Sequence, residues 1–554
     1  MGTPRWRKSA AAERKSTGAS QNPLHEVYFN QFKDAAMNAP YASIVMLLLF
    51  LVAFMYRLRK PKGRGRSMSF NSWTLIDGSF PAATNVPSPL INTVLLFEKC
   101  PSMEKIEETI NGMQTFDRFR MIPKYDSRSG SWIFDDTCPP CKNADMISSV
   151  QVNGEEEMLA AVHKEGMSDI AGYNETPAFR LFRVENRGIG LSAVVIRVHH
   201  VIGDGISLVA AMNNVFTDMD GTPVRVEIPQ ITGSIHKTQD DNRKSDSKIK
   251  TKDKKSFFSL GLFTDLLVSF FKVLALPAGS YDSDILFTTK DKSKLTMTPS
   301  RKFVYFPTAR LDFVKALKNK AAVTVNDVMM AATAGAIRRY CLARKDPLLS
   351  QPGKRTLNRA LIPVAFPRAY KETTDPSKAM RNKWAFVSSE LPIGLPTCSE
   401  RLRACSASMS TLKQSPMAFV QLWVQTNLLP LLPAFLRKGT GLDLFKRHSM
   451  VFSNVPGPDK TFYFAGEQMV GIQVLFPNLL TQTMIISYNG GLFMNMVLDD
   501  ELITECEQLK KFYREEMKEL ATEYGIPSDE SEIFLPPTHS GAQLSAVKDE
   551  VCCS

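Results

Sequence analysis

Histidine is scarce in this chain, with seven among 554 residues. Two of them are adjacent, His199 and His200, and no HExxH pair or second His/carboxylate cluster stands elsewhere to complete a coordination shell, which sets metal binding aside. Cysteine is present but unorganised. Cys138-Pro139-Pro140-Cys141 has no second pair at zinc-ligand spacing, and nine cysteines without a small secreted framework fit a reducing cytosol. The terminal Cys552-Cys553-Ser554 is not a CaaX box, and no internal repeat is evident. Positive charge is in excess, at +12, yet it is not spread over a folded face with interleaved aromatics, which excludes a nucleic-acid footprint. Residues 1–66 hold 12 Lys/Arg against 3 Asp/Glu and residues 236–256 hold 8 against 4, so the remaining body is close to neutral.

The chemistry is concentrated in His199-His200-Val201-Ile202-Gly203-Asp204-Gly205, which follows the apolar strand-like run Leu191 to Val198. Adjacent residues at a strand end point to opposite faces, so one histidine can lock into the scaffold while the other projects into a cleft. A neutral imidazole is well matched to removing a proton from an alcohol near pH 7. Gly203 and Gly205 predict a tight turn with unusual dihedrals or a close approach to a ligand. Asp204 between them orients the turn or pairs with a buried arginine. The competing reading is two packed histidines with no chemical role.

Two further stretches accompany this one. Asn326-Asp327-Val328-Met329-Met330-Ala331-Ala332, continuing through Gly335 to Tyr340, has the small and apolar residues of a buried helix, with Asn or Asp as its cap. Capping and a direct active-site role remain alternatives for that pair. Ser453-Asn454-Val455-Pro456-Gly457-Pro458 is stiff turn chemistry.

The three stretches, in this order, resemble CoA-dependent HHxxxDG acyltransferases of the chloramphenicol-acetyltransferase-like fold, and HHVIGDGIS is similar to the wax ester synthase/diacylglycerol acyltransferase family. The resemblance covers roughly residues 70 to 525 and extends to Arg118-Phe119-Arg120 and Trp132. Where many members have Pro-Leu-Trp, this chain has Pro177-Ala178-Phe179, which changes one wall of the acyl pocket. The resemblance implies an α/β fold of two lobes with mixed sheets and flanking helices, and an active-site tunnel between them. It implies an O-acyltransferase whose catalytic group is His200, as general base, with His199 and Asp204, and with Gly203, Gly205, Asn326, Asp327 and Asn454 along the substrates. Fatty acyl-CoA is the co-substrate, with no resident cofactor and no metal. The acceptor is a long-chain alcohol first, giving a wax ester, with diacylglycerol close behind. Asp204 is expected to hold its loop by a salt bridge rather than to form a triad. The alternatives are another HHxxxDG transferase with a different acceptor, or a lipid-binding protein without catalysis.

The organisation predicted around these motifs begins with a polar extension over 1–39. A membrane anchor with a basic flank follows at 40–60, then a first lobe over 70–235, a charged linker over 236–256, a second lobe over 257–525 and a tail over 526–554. Within the anchor, Tyr41 to Tyr56 is uninterruptedly apolar and is followed by Arg57, Arg59, Lys60, Lys62, Arg64 and Arg66. As a helix it is about 24 Å long, near the thickness of a thin endoplasmic-reticulum bilayer of about 27 Å. A signal peptide would end in small residues rather than a basic cluster. The positive-inside rule then predicts a single-pass endoplasmic-reticulum protein with its catalytic body in the cytosol. Phe257 to Leu276 is predicted as an amphipathic helix with Asp265, Ser269 and Lys272 on one polar stripe, facing either a membrane or the core. Met417 to Leu436 is apolar but broken by Pro430 and Pro433.

Overall fold

The structure, a computed structural model, describes residues 66–78, 88–224 (except 129–130, 138–140, 171 and 173), 260–288 (except 277–278), 300–351, 354–432 (except 369) and 434–536. The expected N-terminal extension, the membrane anchor and the charged linker lie outside the described residues. Residues from Lys60 onward form one compact unit.

Two seven-stranded sheets carry the fold. In the first, the spatial order is Ile147–Val152, Phe179–Asn186, Ser192–His199, Leu90–Phe97, Glu467–Leu475, Tyr463–Phe464 and Phe216–Thr217. All eight residues of Ser192–His199 are buried, because the strand is central and covered on both faces. In the second sheet, Ala309–Arg310, Gly491–Leu498, Thr481–Tyr488, Met450–Val455, Arg359–Ala365 and Trp384–Glu390 follow one another, and Lys302–Tyr305 also pairs with Gly491–Leu498. Both sheets are mixed, with parallel pairs at Ile147–Val152 beside Phe179–Asn186 and at Met450–Val455 beside Thr481–Tyr488.

This arrangement corrects the predicted lobe boundary. Residues 463–475 lie inside the expected second lobe, yet Glu467–Leu475 pairs with Leu90–Phe97 and belongs to the first sheet. The packed body also runs past the predicted start of the tail at 526: Ile533 and Phe534 are buried, and Leu535 N–H donates to the Thr308 carbonyl at 2.9 Å. The two apolar side chains give an otherwise acidic segment something to bury. Thr481–Tyr488 and Gly491–Leu498 are joined by a hairpin at Asn489-Gly490, with φ of 44° and 79° at the two turn residues, the left-handed pair that matches the strand twist.

The helix expected from Asn326 runs Val325–Ala343, and its cap is neither Asn326 nor Asp327. Thr324 caps it in a reciprocal box: Thr324 Oγ1 accepts from Asp327 N–H at 3.3 Å and Asp327 Oδ2 accepts from Thr324 N–H at 2.9 Å. Thr-x-x-Asp is the hydroxyl-to-acid spacing that serves two orphan amides at once. Behind this helix, Glu516 is wholly buried and accepts from Arg401 at 2.5 and 3.0 Å and from Arg339 at 3.1 Å, pinning Gln508–Glu523 to the core.

Candidate active site

His199 is the last residue of its strand, and its side chain is buried, with Nδ1 accepting from Val201 N–H at 3.1 Å. That acceptor role requires neutral imidazole. Burial, and secondarily the neighbouring His200, hold its pKa down at about 3. His200, one residue on, leaves the strand with its backbone N–H on the Pro89 carbonyl at 2.8 Å and its ring only partly buried. His199 is thus held in the scaffold, while His200 leaves the strand beside it.

What surrounds the His200 ring comes from distant sequence. Trp384, on the edge strand of the second sheet, lies 6.2 Å away between ring centroids, and Phe476, just past the last strand shared with the first sheet, lies at 5.7 Å. The imidazole therefore sits at the seam between the two sheets. Desolvation lowers its pKa; its own backbone carbonyl, Asp204 and Asn382 oppose that shift in part. The net direction leaves the ring neutral at pH 7.

Asn382 decides which nitrogen is free. Its Nδ2 faces three oxygens: the His200 carbonyl at 2.8 Å, the Val201 carbonyl at 3.0 Å and Ser72 Oγ at 3.1 Å. With the amide fixed in this sense, Oδ1 is turned to His200 Nδ1 at 3.1 Å, and an oxygen acceptor there requires Nδ1 to carry the proton. Nε2 is then the unprotonated nitrogen, the atom a general base needs.

Asp204 faces away from this chemistry. It caps the helix Gly205–Met212 through Ser207 N–H at 3.0 Å, and its Oδ2 accepts from Arg368 at 2.5 Å and from Lys383 N–H at 2.8 Å. Arg368 is itself 1% exposed and also donates to Ser207 Oγ and the Ala379 carbonyl, both at 2.8 Å. The expected arginine partner is thus Arg368, 164 residues downstream. Arg118 supports the same loop, donating to the carbonyls of Val201 and Ile202 at 3.2 and 3.1 Å.

The glycines differ from expectation. Neither Gly203 nor Gly205 has a positive φ. A Cβ on Gly203 would stand 2.6 Å from Ser207 Cβ, so its role is close packing of the loop on the helix; one on Gly205 would meet nothing within 4 Å. Asn454 and Asn326 are brought together, Asn454 Nδ2 donating to Asn326 Oδ1 at 3.3 Å, and Asp327 is occupied by the cap. No hydrogen bond joins these three residues to His200 among the described residues. At the Pro456-Gly457-Pro458 turn, a Cβ on Gly457 would lie 2.0 Å from the Ser487 carbonyl oxygen, so only glycine lets the turn lie against that strand.

Asn382, Arg368 and Trp384 were not singled out from the sequence. Asn382 and Trp384 lie in Arg381-Asn382-Lys383-Trp384, which opens a strand and has no motif of its own. The Trp384 indole N–H is buried with no hydrogen-bond partner among the described residues. Among the described residues no group of three or more His, Cys, Asp or Glu is placed to hold a metal.

Known proteins agree with the motif resemblance. Residues 380–521 match the model of the WS/DGAT C-terminal domain. Over 344 residues, 57% of this chain and 66% of the relative, the chain is 23% identical to wax ester synthase/diacylglycerol acyltransferase 1 of Arabidopsis thaliana. Over 167 residues, 29% of this chain and 34% of the relative, it is 35% identical to a Mycobacterium tuberculosis protein named as a diacylglycerol O-acyltransferase. The chain thus spans between about a third and two thirds of those relatives' lengths. Among solved structures, the wax ester synthase/diacylglycerol acyltransferase of Marinobacter aquaeolei VT8 superposes with a TM-score of 0.51 at 18% identity, covering 80% of this chain and 96% of that one. The TRI3 trichothecene 15-O-acetyltransferase of Fusarium sporotrichioides gives 0.53 at 11% identity, covering 83% and 94%. The two-lobed acyltransferase fold is shared with both.

Proposed function

We propose that this chain, similar to the wax ester synthase/diacylglycerol acyltransferase family, is an O-acyltransferase that moves a fatty acyl group from acyl-CoA to a lipid hydroxyl. The observation that carries the reading is the Asn382 contact, which leaves His200 Nε2 as a lone pair beside the seam. In the proposed reaction, Nε2 takes the hydroxyl proton of the acceptor as its oxygen attacks the thioester carbonyl, forming the new C–O bond. The tetrahedral adduct collapses, the C–S bond breaks, and the imidazolium returns the proton to the CoA thiolate. Proton and charge balance without an acyl-enzyme. Holding both chains in one tunnel between the lobes supplies the orientation on which such direct transfer depends. Asp204 and Arg368 fix the loop, and the Trp384 N–H, unpaired among the described residues, is available to a substrate oxygen.

The acceptor order is long-chain alcohol first and diacylglycerol second. The apolar run Tyr41 to Tyr56 with its basic flank is proposed as a single-pass endoplasmic-reticulum anchor that keeps the body on the cytosolic side, where acyl-CoA is found. Among the described residues no helix is long and apolar enough to cross a membrane.

The test is acyl transfer from labelled palmitoyl-CoA in microsomes of cells that lack neutral-lipid synthesis, with hexadecanol or diacylglycerol supplied and His200→Ala as control. Label in wax ester or triacylglycerol that vanishes in the variant establishes the reaction and names the acceptor. No product with either acceptor, or equal product from His200→Ala, overturns it.

A further inference from the structure

Among the described residues, twelve large apolar side chains are exposed, and six of them lie on two helices that touch: Leu267, Val268, Phe271 and Leu274 on Leu260–Leu274, and Phe419 and Trp423 on Met417–Trp423. The remaining six are scattered as a soluble surface ordinarily scatters them. The helices are joined through Val273, Val420 and Val424, and Phe270 meets Trp423 at 6.3 Å between ring centroids. The buried side of Leu260–Leu274 includes Ser269, so the polar stripe expected from the sequence is broken: Ser269 faces inward while Asp265 and Lys272 edge an outward apolar face.

We propose that this face docks into the lipid of a membrane surface, separately from the N-terminal apolar run. Three observations single out lipid as the occupant. The longer helix, Leu260–Leu274, carries both of its charges, Asp265 and Lys272, at one edge of its apolar face, the arrangement of a helix lying in the interface. Lys248, Lys250, Lys252, Lys254 and Lys255 immediately precede it in sequence, interrupted only by Asp253 among the charged residues, which complements anionic headgroups. From Met417 to Leu432 there is no charge at all, so nothing on the second helix opposes burial in hydrocarbon.

The face is also continuous with the catalytic seam. Met417–Trp423 packs on the strand Trp384–Glu390, whose first residue flanks His200. It runs on into a π-helical turn, Val424–Leu428, which touches the short helix Phe70–Thr74, where Ser72 receives Asn382. A lipid leaving the membrane at Phe419 and Trp423 would thus enter beside Trp384. The docking does not depend on the catalytic reading, since it is measured without acyl transfer.

The test uses the full chain with vesicles of phosphatidylcholine brominated on its acyl chains, containing a minor share of phosphatidylserine. Trp423 emission is isolated as the difference between the protein and its Trp423→Phe variant, each confirmed to bind the vesicles by flotation. Quenching of the Trp423 component by at least half, falling severalfold when Leu267 and Phe271 are both changed to Ser, supports the proposal. A Trp423 component that bromine leaves unquenched on floated protein overturns it, and in that case self-association or a protein partner covers the face. Unaltered circular dichroism of the Ser variant excludes loss of fold, because both side chains are already exposed.

Discussion

If Asn382 fixes the tautomer of His200, then replacing it should damage catalysis in a way that pH reveals. Asn382→Leu keeps the volume and removes every polar contact. The lost Nδ1–H···Oδ1 bond has a net value of about 1 kcal/mol, and losing it releases the bias toward the catalytic tautomer about fivefold. Misorientation of the freed ring adds to this, and a displacement of about 1 Å costs on the order of a hundredfold. We therefore expect kcat to fall by roughly 10- to 100-fold with KM for acyl-CoA little changed. The His200 carbonyl also loses this donor, while the Val201 carbonyl keeps Arg118, so the change costs about 1–3 kcal/mol of stability and the assay is run well below the variant's melting temperature. Asn382→Asp separates tautomer from charge. Its carboxylate still accepts from Nδ1, but the negative charge favours imidazolium and raises the His200 pKa. Since only the neutral ring accepts a proton, the acid limb of kcat against pH must move upward from its position in the unaltered protein, where desolvation holds it below the ordinary histidine range. A Leu variant with undiminished kcat, or an Asp variant whose acid limb stays in place, would refute the reasoning.

Arg368→Ala strands the Asp204 carboxylate in a site where both side chains are nearly inaccessible, and should cost about 3–5 kcal/mol in urea denaturation; a loss below 1 kcal/mol would mean that the loop stands without the ion pair. Gly335→Ala, which in an ordinary helix stabilises by about 1 kcal/mol, should here destabilise, because the new methyl would lie 2.0 Å from the Glu516 carboxyl carbon; a rise in Tm would contradict the packing. His199 and His448 are buried, with pKa values lowered to about 3, whereas the unfolded chain protonates near 6.5. The unfolded state therefore binds more protons below that pH. Each histidine should subtract about 1.4 kcal/mol of stability per pH unit as the pH falls from about 6.5 toward 4, and their joint change to Gln should flatten the acid side of a Tm against pH curve.

The parts of this molecule that were legible in sequence are those whose signal is local. The apolar run before His199 is a central strand because buried strands need apolar residues at every position, and Asn489-Gly490 is a hairpin because two left-handed residues in succession admit little else. The Thr324 cap is equally local, since Thr-x-x-Asp is a short-range pattern, but the Asn326-Asp327 pair beside it carries the same capping residue types and masks it. The return of Glu467–Leu475 to the first sheet was not legible, because alternation tells a strand which face to bury and nothing about its neighbour. Asn382 and Arg368 were hidden for the same reason. Their partners lie 182 and 164 residues away, and a single Asn or Arg in a polar stretch carries no spacing that announces a contact.

The long-range contacts share a geometry that explains why the site needs two lobes. Among the described residues, the groups that meet the His200 ring or carbonyl from outside its own loop, Asn382, Trp384 and Phe476, come from beyond residue 380, while Asp204, in the first lobe, receives Arg368 and Lys383 N–H from residues 368–383. Within its own strand and turn only the His200 carbonyl acts on the ring, and Asn382 Oδ1 adds the acceptor from the later stretch that faces Nδ1. The Asn382 contact to the base is therefore made when the segment 368–384 is docked on the loop 199–207, and the buried ion pair Asp204–Arg368 ties the two together. Breaking that tie should lower kcat through His200 as well as lowering stability. An Arg368→Lys variant, which restores charge but only part of the four-bond fork, should recover stability more fully than rate. Equal recovery of both would mean that docking and base orientation are independent.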